Sequence, residues 1–146
     1  RDRQCLVWAC RLHETGLTIS HSKYPKHGDY IVRYSDLLGF TRSEQQIVAT
    51  LIRAHRGKVP VLVIEELPKS LTERVTRLCM VLRLAVLLRR GRSKEPLPAF
   101  TITASGSKLK LEFPEGWLDS NALTLADLER EKKYLKTIKV SLSFDG

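Results

Sequence analysis

Near residue 98 the apolar residues change period, and this restricts the chain to a helical part followed by a part containing strands. Before that point apolar side chains recur every three or four positions. Leu6, Ala9, Cys10 and His13 share one face of a helix predicted over residues 3–14, with Gly16 just past its end. A polar loop to about residue 26 leads into a short helix predicted over 27–34, ending before the Leu38-Gly39-Phe40 turn. Thr41 with Glu44 three positions later is a capping-box pattern, and the helix it opens runs to about Arg56, where Gly57 stops it. On this helix Arg42, Gln45, Gln46, Ala49, Arg53 and Arg56 share one face, and Ile47, Val48, Leu51, Ile52 and His55 share the other. One side is therefore expected to pack and the other to stay basic. Residues 57–69, with Pro60 and Pro68, read as an ordered connection. Ser70 with Glu73 reads as a second capping box, opening an apolar helix over 71–90 that Gly91 ends.

Residues 92–98, with two prolines and mixed charge, read as a linker. Beyond it Phe100 and Ile102, then Leu109, Leu111 and Phe113, alternate around a Ser105-Gly106 turn, which is a hairpin signature. A helix over 121–135 and a last strand over 139–144 complete a β-β-α-β unit. The expected fold class is α+β: an all-helical bundle over 1–94 and a small domain over 95–146.

At 146 residues and 42% hydrophobic, the chain can bury about two thirds of its unfolded surface. Its longest apolar runs, 59–64 and 81–88, are interrupted by proline or arginine and are too short for a membrane span, and the start of the sequence lacks a signal-peptide pattern. Cys5, Cys10 and Cys79 form an odd set without CxxC spacing, so they read as small core residues of a protein from a reducing compartment. The expected location is cytoplasmic. Lys and Arg number 25 against 16 Asp and Glu, net +9, and the excess is one-sided: residues 1–98 hold 18 basic and 9 acidic groups, residues 99–146 hold 7 of each. A one-sided positive field attracts polyanions with a steep salt dependence. Polyphosphate, RNA, an acidic partner and anionic lobes of a parent protein all satisfy it. Sequence-specific nucleic-acid binding is not expected, because there is no RRM, KH or zinc-knuckle pattern and only 7% of residues are aromatic.

All four histidines lie within residues 12–56: His13 followed by Glu14, then His21 and His27 around Lys23 and Lys26, then His55 followed by Arg56. The loop His21, Lys23, Lys26, His27 is the preferred anion contact, since a helix start at His27 adds free backbone N–H groups to ammonium and imidazole. Arg53, Arg56 and Lys58 form a second basic cluster near a helix end, and Arg89, Arg90 and Arg92 can extend a basic track or simply complement a helix dipole. His13 and His55, on apolar sides of their helices, read as cleft-forming residues; His55 can bond terminal carbonyls and gain from the dipole when protonated.

The strings LHETGLTISHSKYPKHGDYIVRYSDLLGF, ATLIRAHRGKVP, VLRLAVLLRRGR and LKLEFPEGWLDSNALTLADLEREKKYLK, in this order, closely resemble the C-terminal half of the exopolyphosphatase and guanosine pentaphosphate phosphohydrolase family. The resemblance implies that 1–94 is similar to HD-domain phosphohydrolases, N-terminally truncated, and that 95–146 is the terminal α+β domain. It places catalysis, with magnesium and a catalytic glutamate, in N-terminal actin-like lobes. Nothing here matches GxGxxG or GxxxxGK[ST], so no catalytic residue, cofactor or metal is expected in this region itself, and it is expected to be inactive alone. His13-Glu14 stands where an HD pair would be, with a longer carboxylate side chain, and Pro25 stands where the family commonly has another histidine. With the parent activity implied by the resemblance, the basic clusters point to a role for this region in binding inorganic polyphosphate through His21, Lys23, Lys26, His27, Arg53, Arg56 and Lys58, with His13, Glu14 and His55 shaping the cleft. That would hold a long substrate between cleavages of its terminal phosphoanhydride bond. The implied partners are the protein's own catalytic lobes and a second subunit. The alternatives are a guanosine pentaphosphate phosphohydrolase region, a self-contained HD-type metal phosphohydrolase acting on nucleotides, and a pure interaction module.

Overall fold

The computed structural model describes residues 2–89 and 96–146. The expected helix end at Arg90 and Gly91, Arg92 of the basic track, and the expected domain boundary at 94/95 lie outside the described residues. The chain divides into two compact units, Arg1–Arg83 and Leu84–Gly146. The architecture is α+β, helices followed by a small strand-containing part.

The first unit holds α1 (Asp2–Leu12), a 3-10 turn (Thr15–Thr18), α2 (Tyr24–Tyr34), α3 (Arg42–Ala54), α4 (Val61–Glu65) and most of α5 (Lys69–Arg89). The most buried element is α3: Ile47, Val48, Ala49, Thr50, Leu51, Ile52 and Ala54 are all buried, and each large aliphatic among them contributes roughly 1.5–3 kcal/mol. Its start is the capping box read from the sequence. Thr41 Oγ1 accepts from the Glu44 N–H at 3.1 Å, and the Glu44 carboxylate accepts from the Thr41 N–H at 3.0 Å. Its last turn is held by a residue 29 positions beyond Ala54: Arg83, 2% exposed, donates to the carbonyls of Ala54 and Gly57, each at 2.6 Å. A cation at the carbonyl end of a helix is favoured by charge as well as by hydrogen bonding.

Helices α2 and α3 run antiparallel. The Gln45 amide donates to the carbonyls of Val32 and Ser35, both at 2.7 Å, closing the end of α2, while Arg53 pairs with Asp29 and Arg56 reaches Tyr24. The 3-10 turn lies directly on α2. A Cβ at Gly16 would sit 1.9 Å from the Tyr24 carbonyl oxygen and 2.6 Å from the Gly28 nitrogen, so only glycine allows this approach.

Several expected details differ. Helix α1 buries Cys5 and Ala9, whereas Cys10 is exposed, so the buried stripe is rotated from the expected face. Helix α2 begins at Tyr24, three residues early, with Pro25 at its second position, where proline's missing N–H costs nothing. Ala49 is buried, narrowing the basic side of α3. Ser70 lies inside α5, whose first bonds run from the Leu71 and Thr72 N–H groups to the Pro68 carbonyl, so it caps nothing.

In the second unit β1 (Thr101–Ser105) pairs antiparallel with β2 (Lys108–Glu112), and β2 pairs parallel with β3 (Ser141–Asp145), giving the order β1-β2-β3. A parallel pair needs a crossover, supplied by α6 (Trp117–Ser120) and α7 (Ala122–Lys136). Leu109 and Leu111 of β2, Leu142 of β3, and Leu128 and Leu135 of α7 are buried. Phe100 and Ile102 were expected to face the same way as Leu109, Leu111 and Phe113, which are buried, but every residue of β1, Ile102 included, is exposed. The last strand starts at Ser141, two residues late, because Lys139 is left-handed (φ 61) where the Val140 N–H closes back on the Leu135 carbonyl. No described helix is long and apolar enough to cross a membrane.

Candidate functional site

The antiparallel pairing of α2 and α3 places the sequence 21–27 beside the sequence 53–58. Tyr24, the first residue of α2 and buried, is the centre of this junction. His55 caps α3 with its ring turned back on the helix. Its Nδ1 faces the Ile52 carbonyl, which can only accept, so Nδ1 carries the hydrogen and Nε2 is the acceptor. The Tyr24 hydroxyl donates to that Nε2 at 3.2 Å, and its oxygen accepts from Arg56 Nη1 at 3.4 Å. A directional chain thus runs from an exposed guanidinium, through a phenol, to a buried imidazole and a helix-terminal carbonyl. Arg56 also lies over the Tyr24 ring, 5.7 Å from its centroid.

Imidazoles flank this chain on both sides. The His13 ring meets the His55 ring edge-on at 4.9 Å, and the His21 ring lies 5.9 Å from the Tyr24 ring. Burial pushes His55 down to about 4, against the opposing effect of its bond to the Ile52 carbonyl, and the neighbouring His13, Arg56 and Arg83 push the same way as burial. At neutral pH His55 is therefore a neutral hydrogen-bonding group, and the dipole benefit expected of its protonated form does not operate. The accessible positive charge belongs to the exposed residues Lys23, Lys26, Arg56 and Lys58, with His21 exposed and His27 half-buried.

Two expected features take another form. His27 was placed at a helix start with free N–H groups, but its N–H donates to the Lys23 carbonyl, because the helix begins earlier. The start is instead held by Lys23 in a left-handed conformation, φ 56, which non-glycine residues rarely adopt. Arg53 is not an open cation. Its Nη1 lies 3.5 Å from Asp29 Oδ2, while Arg33 Nε donates to Asp29 Oδ1 at 2.7 Å. Asp29 is 4% exposed, so one buried carboxylate orients two half-exposed guanidiniums, with Thr50 Oγ1 accepting from Arg33 at 3.3 Å. Two guanidiniums on one carboxylate leave net positive charge.

His13 Nδ1 faces the Cys10 carbonyl at 2.6 Å, and its Nε2 is 3.9 Å from Glu14 Oε1. Among the described residues no three His, Cys, Asp or Glu side chains converge in a group able to hold a metal ion. A separate groove of 560 Å³ lies at the other end of the α2–α3 pair, with Arg33, Asp36, Arg42 and Gln46 in its wall.

Tyr24, Asp29, Arg33 and Arg83 were missed as site-building residues. Asp29 and Arg33 carry an i,i+4 pairing signal, and Arg83 a charge inside an apolar run, which calls for buried acceptors. Tyr24 carried no comparable signal, since its role depends on a partner 32 positions away. Compared with known protein families, the sequence matches Ppx/GppA phosphatase, domain III, over residues 1–132, so the match spans the whole first unit and extends into α7.

Proposed function

The chain belongs to the Ppx/GppA phosphatase family, carrying its domain III, and from that premise we propose that this region holds polyphosphate for an exopolyphosphatase. In this reading, hydrolysis of the terminal phosphoanhydride bond occurs in N-terminal actin-like lobes that bind magnesium, and the cationic junction described above retains the chain between cleavages. The carrying observation is the Arg56–Tyr24–His55 hydrogen-bond chain, which joins the start of α2, with exposed His21, Lys23 and Lys26 close by in sequence, to the end of α3, with exposed Lys58 two positions past Arg56. Exposed cations on a preorganised scaffold suit a repeating polyanion, because several individually weak phosphate contacts hold it without fixing its register. Arg53 and His27 contribute at the margin, and His13, Glu14 and His55 shape the junction. A cytoplasmic setting and a homodimeric parent belong to the same reading, and three free cysteines accord with a reducing compartment. Guanosine pentaphosphate, which offers a shorter run of phosphates, is the alternative substrate.

The test is binding of long-chain polyphosphate to the 146-residue protein at low salt, beside a Lys23→Ala, Lys26→Ala, Arg56→Ala variant. Binding that the variant loses supports the assignment. Equal binding by both proteins, or binding by neither, overturns it.

A further inference from the structure

Resting on that reading, we propose that the groove between the end of α2 and the start of α3 is a second anion subsite for the same linear polyanion, so that one chain is gripped at both ends of the α2–α3 seam. The groove measures 560 Å³. Its polar groups divide into those that build it and those left available. The Gln45 amide is occupied with the α2 carbonyls, and Arg33 uses Nε on Asp29 and Nη2 on Thr50. Among the described residues the side chains of Arg42 and Gln46 have no hydrogen-bond or ion-pair partner, and Arg33 Nη1 has none either. Two guanidiniums and a free amide thus line one concavity, which is the donor set that phosphate oxygens require.

Continuity links this groove to the junction at the far end. Arg33 in the groove wall and Arg53 share the buried Asp29, and Arg56 follows Arg53 by three positions. Guanidiniums therefore succeed one another along the seam from Arg42 to Arg56. The thirteen residues of α3 span about 18 Å at 1.5 Å per residue, beyond the reach of a short oligophosphate held at the Lys23 end. Asp36, the one carboxylate in the groove wall, opposes an anion, so its removal must act with the opposite sign to removal of Arg42. Arg42 and Asp36 are both exposed, and exchanging them leaves the core intact.

The experiment titrates the protein with long-chain polyphosphate and with tripolyphosphate, using the wild type, Arg42→Gln, Asp36→Asn and the Lys23, Lys26, Arg56 triple alanine variant. Arg42→Gln is expected to weaken long-chain binding by about two- to fivefold, the range of one exposed ion pair. Asp36→Asn is expected to strengthen it comparably, and the Arg42 effect should shrink for tripolyphosphate. If Arg42→Gln and Asp36→Asn leave long-chain affinity unchanged while the triple variant loses it, the second subsite is wrong and the functional reading stands. If Arg42→Gln weakens both ligands equally, the two ends are not linked by one chain and the inference fails. If the wild type binds neither ligand, the functional reading fails with it.

Discussion

Acidification should destabilise the helical unit through one buried residue, His55. The folded protein holds His55 at about 4, against about 6.5 in an unfolded chain. Folding therefore resists protonation of this ring, and between pH 6.5 and about 4 the unfolded chain binds the extra proton, so stability falls as pH falls and the loss levels off below about 4. The difference amounts to about 2 kcal/mol lost by pH 5 and about 3 kcal/mol by pH 4, at 1.36 kcal/mol per pKa unit. For a unit whose whole stability is of order 5–15 kcal/mol, that is a large fraction. Urea unfolding between pH 7 and pH 4.5, followed by Trp8 fluorescence in a Trp117→Phe background, reports the first unit, because Trp8 lies in α1, whereas Trp117 belongs to the second. His55→Gln lowers stability at pH 7 but should flatten the pH dependence by about 2 kcal/mol across this window. Identical pH slopes for the wild type and His55→Gln would refute the claim that this ring is neutral and buried.

Three other substitutions probe the scaffold. Lys23→Gly removes a Cβ from a left-handed residue and should raise stability by about 0.5–1 kcal/mol while lowering polyphosphate affinity, so urea midpoints and binding move in opposite directions. Asp29→Asn leaves Arg33 and Arg53 without their shared carboxylate; stability should drop by about 2 kcal/mol, less than for a fully buried pair because both arginines are half-exposed. Arg83→Met keeps the apolar stem but takes the guanidinium from the Ala54 and Gly57 carbonyls, leaving Ala54 only the weak Cys79 thiol donor, at an expected cost of about 2–3 kcal/mol in chemical unfolding.

What the sequence made legible was local. The period change, the Thr41–Glu44 box, the apolar side of α3 and the Ser105-Gly106 turn each depend on residues a few positions apart, and each appears in the structure. Boundaries set by tertiary contact were not legible. The start of α2 depends on Lys23 adopting a left-handed conformation and on Gly16 letting the 3-10 turn lie on the helix, and neither has a strong sequence signature. The short helix α4 fell inside the stretch read as a connection, and α6 in a segment to which no element was assigned, since four or five residues are too few to show a period. Among the candidate site residues, clustering in sequence showed which cations stand near one another, but not which are committed. Arg53 and Arg56 look alike in the text, yet one is tied to a carboxylate buried on the neighbouring helix and the other is held at the surface by a phenol. The Asp29–Arg33 spacing was readable; Arg53 as their third member required the antiparallel packing of α2 on α3.

The most direct test of the central claim is the slope of the logarithm of polyphosphate affinity against the logarithm of salt concentration, for the wild type and for the Lys23, Lys26, Arg56 triple alanine variant. If the open cations Lys23, Lys26, Arg56 and Lys58 each neutralise one phosphate with the counterion release of a single strand, the slope is about −2.8 for the wild type and about −0.7 for the variant. A slope that flattens in this way means the junction of α2 and α3 holds the polyanion. A steep slope that the triple substitution leaves unchanged means the anion is held elsewhere on the protein, and the assignment of this junction is contradicted.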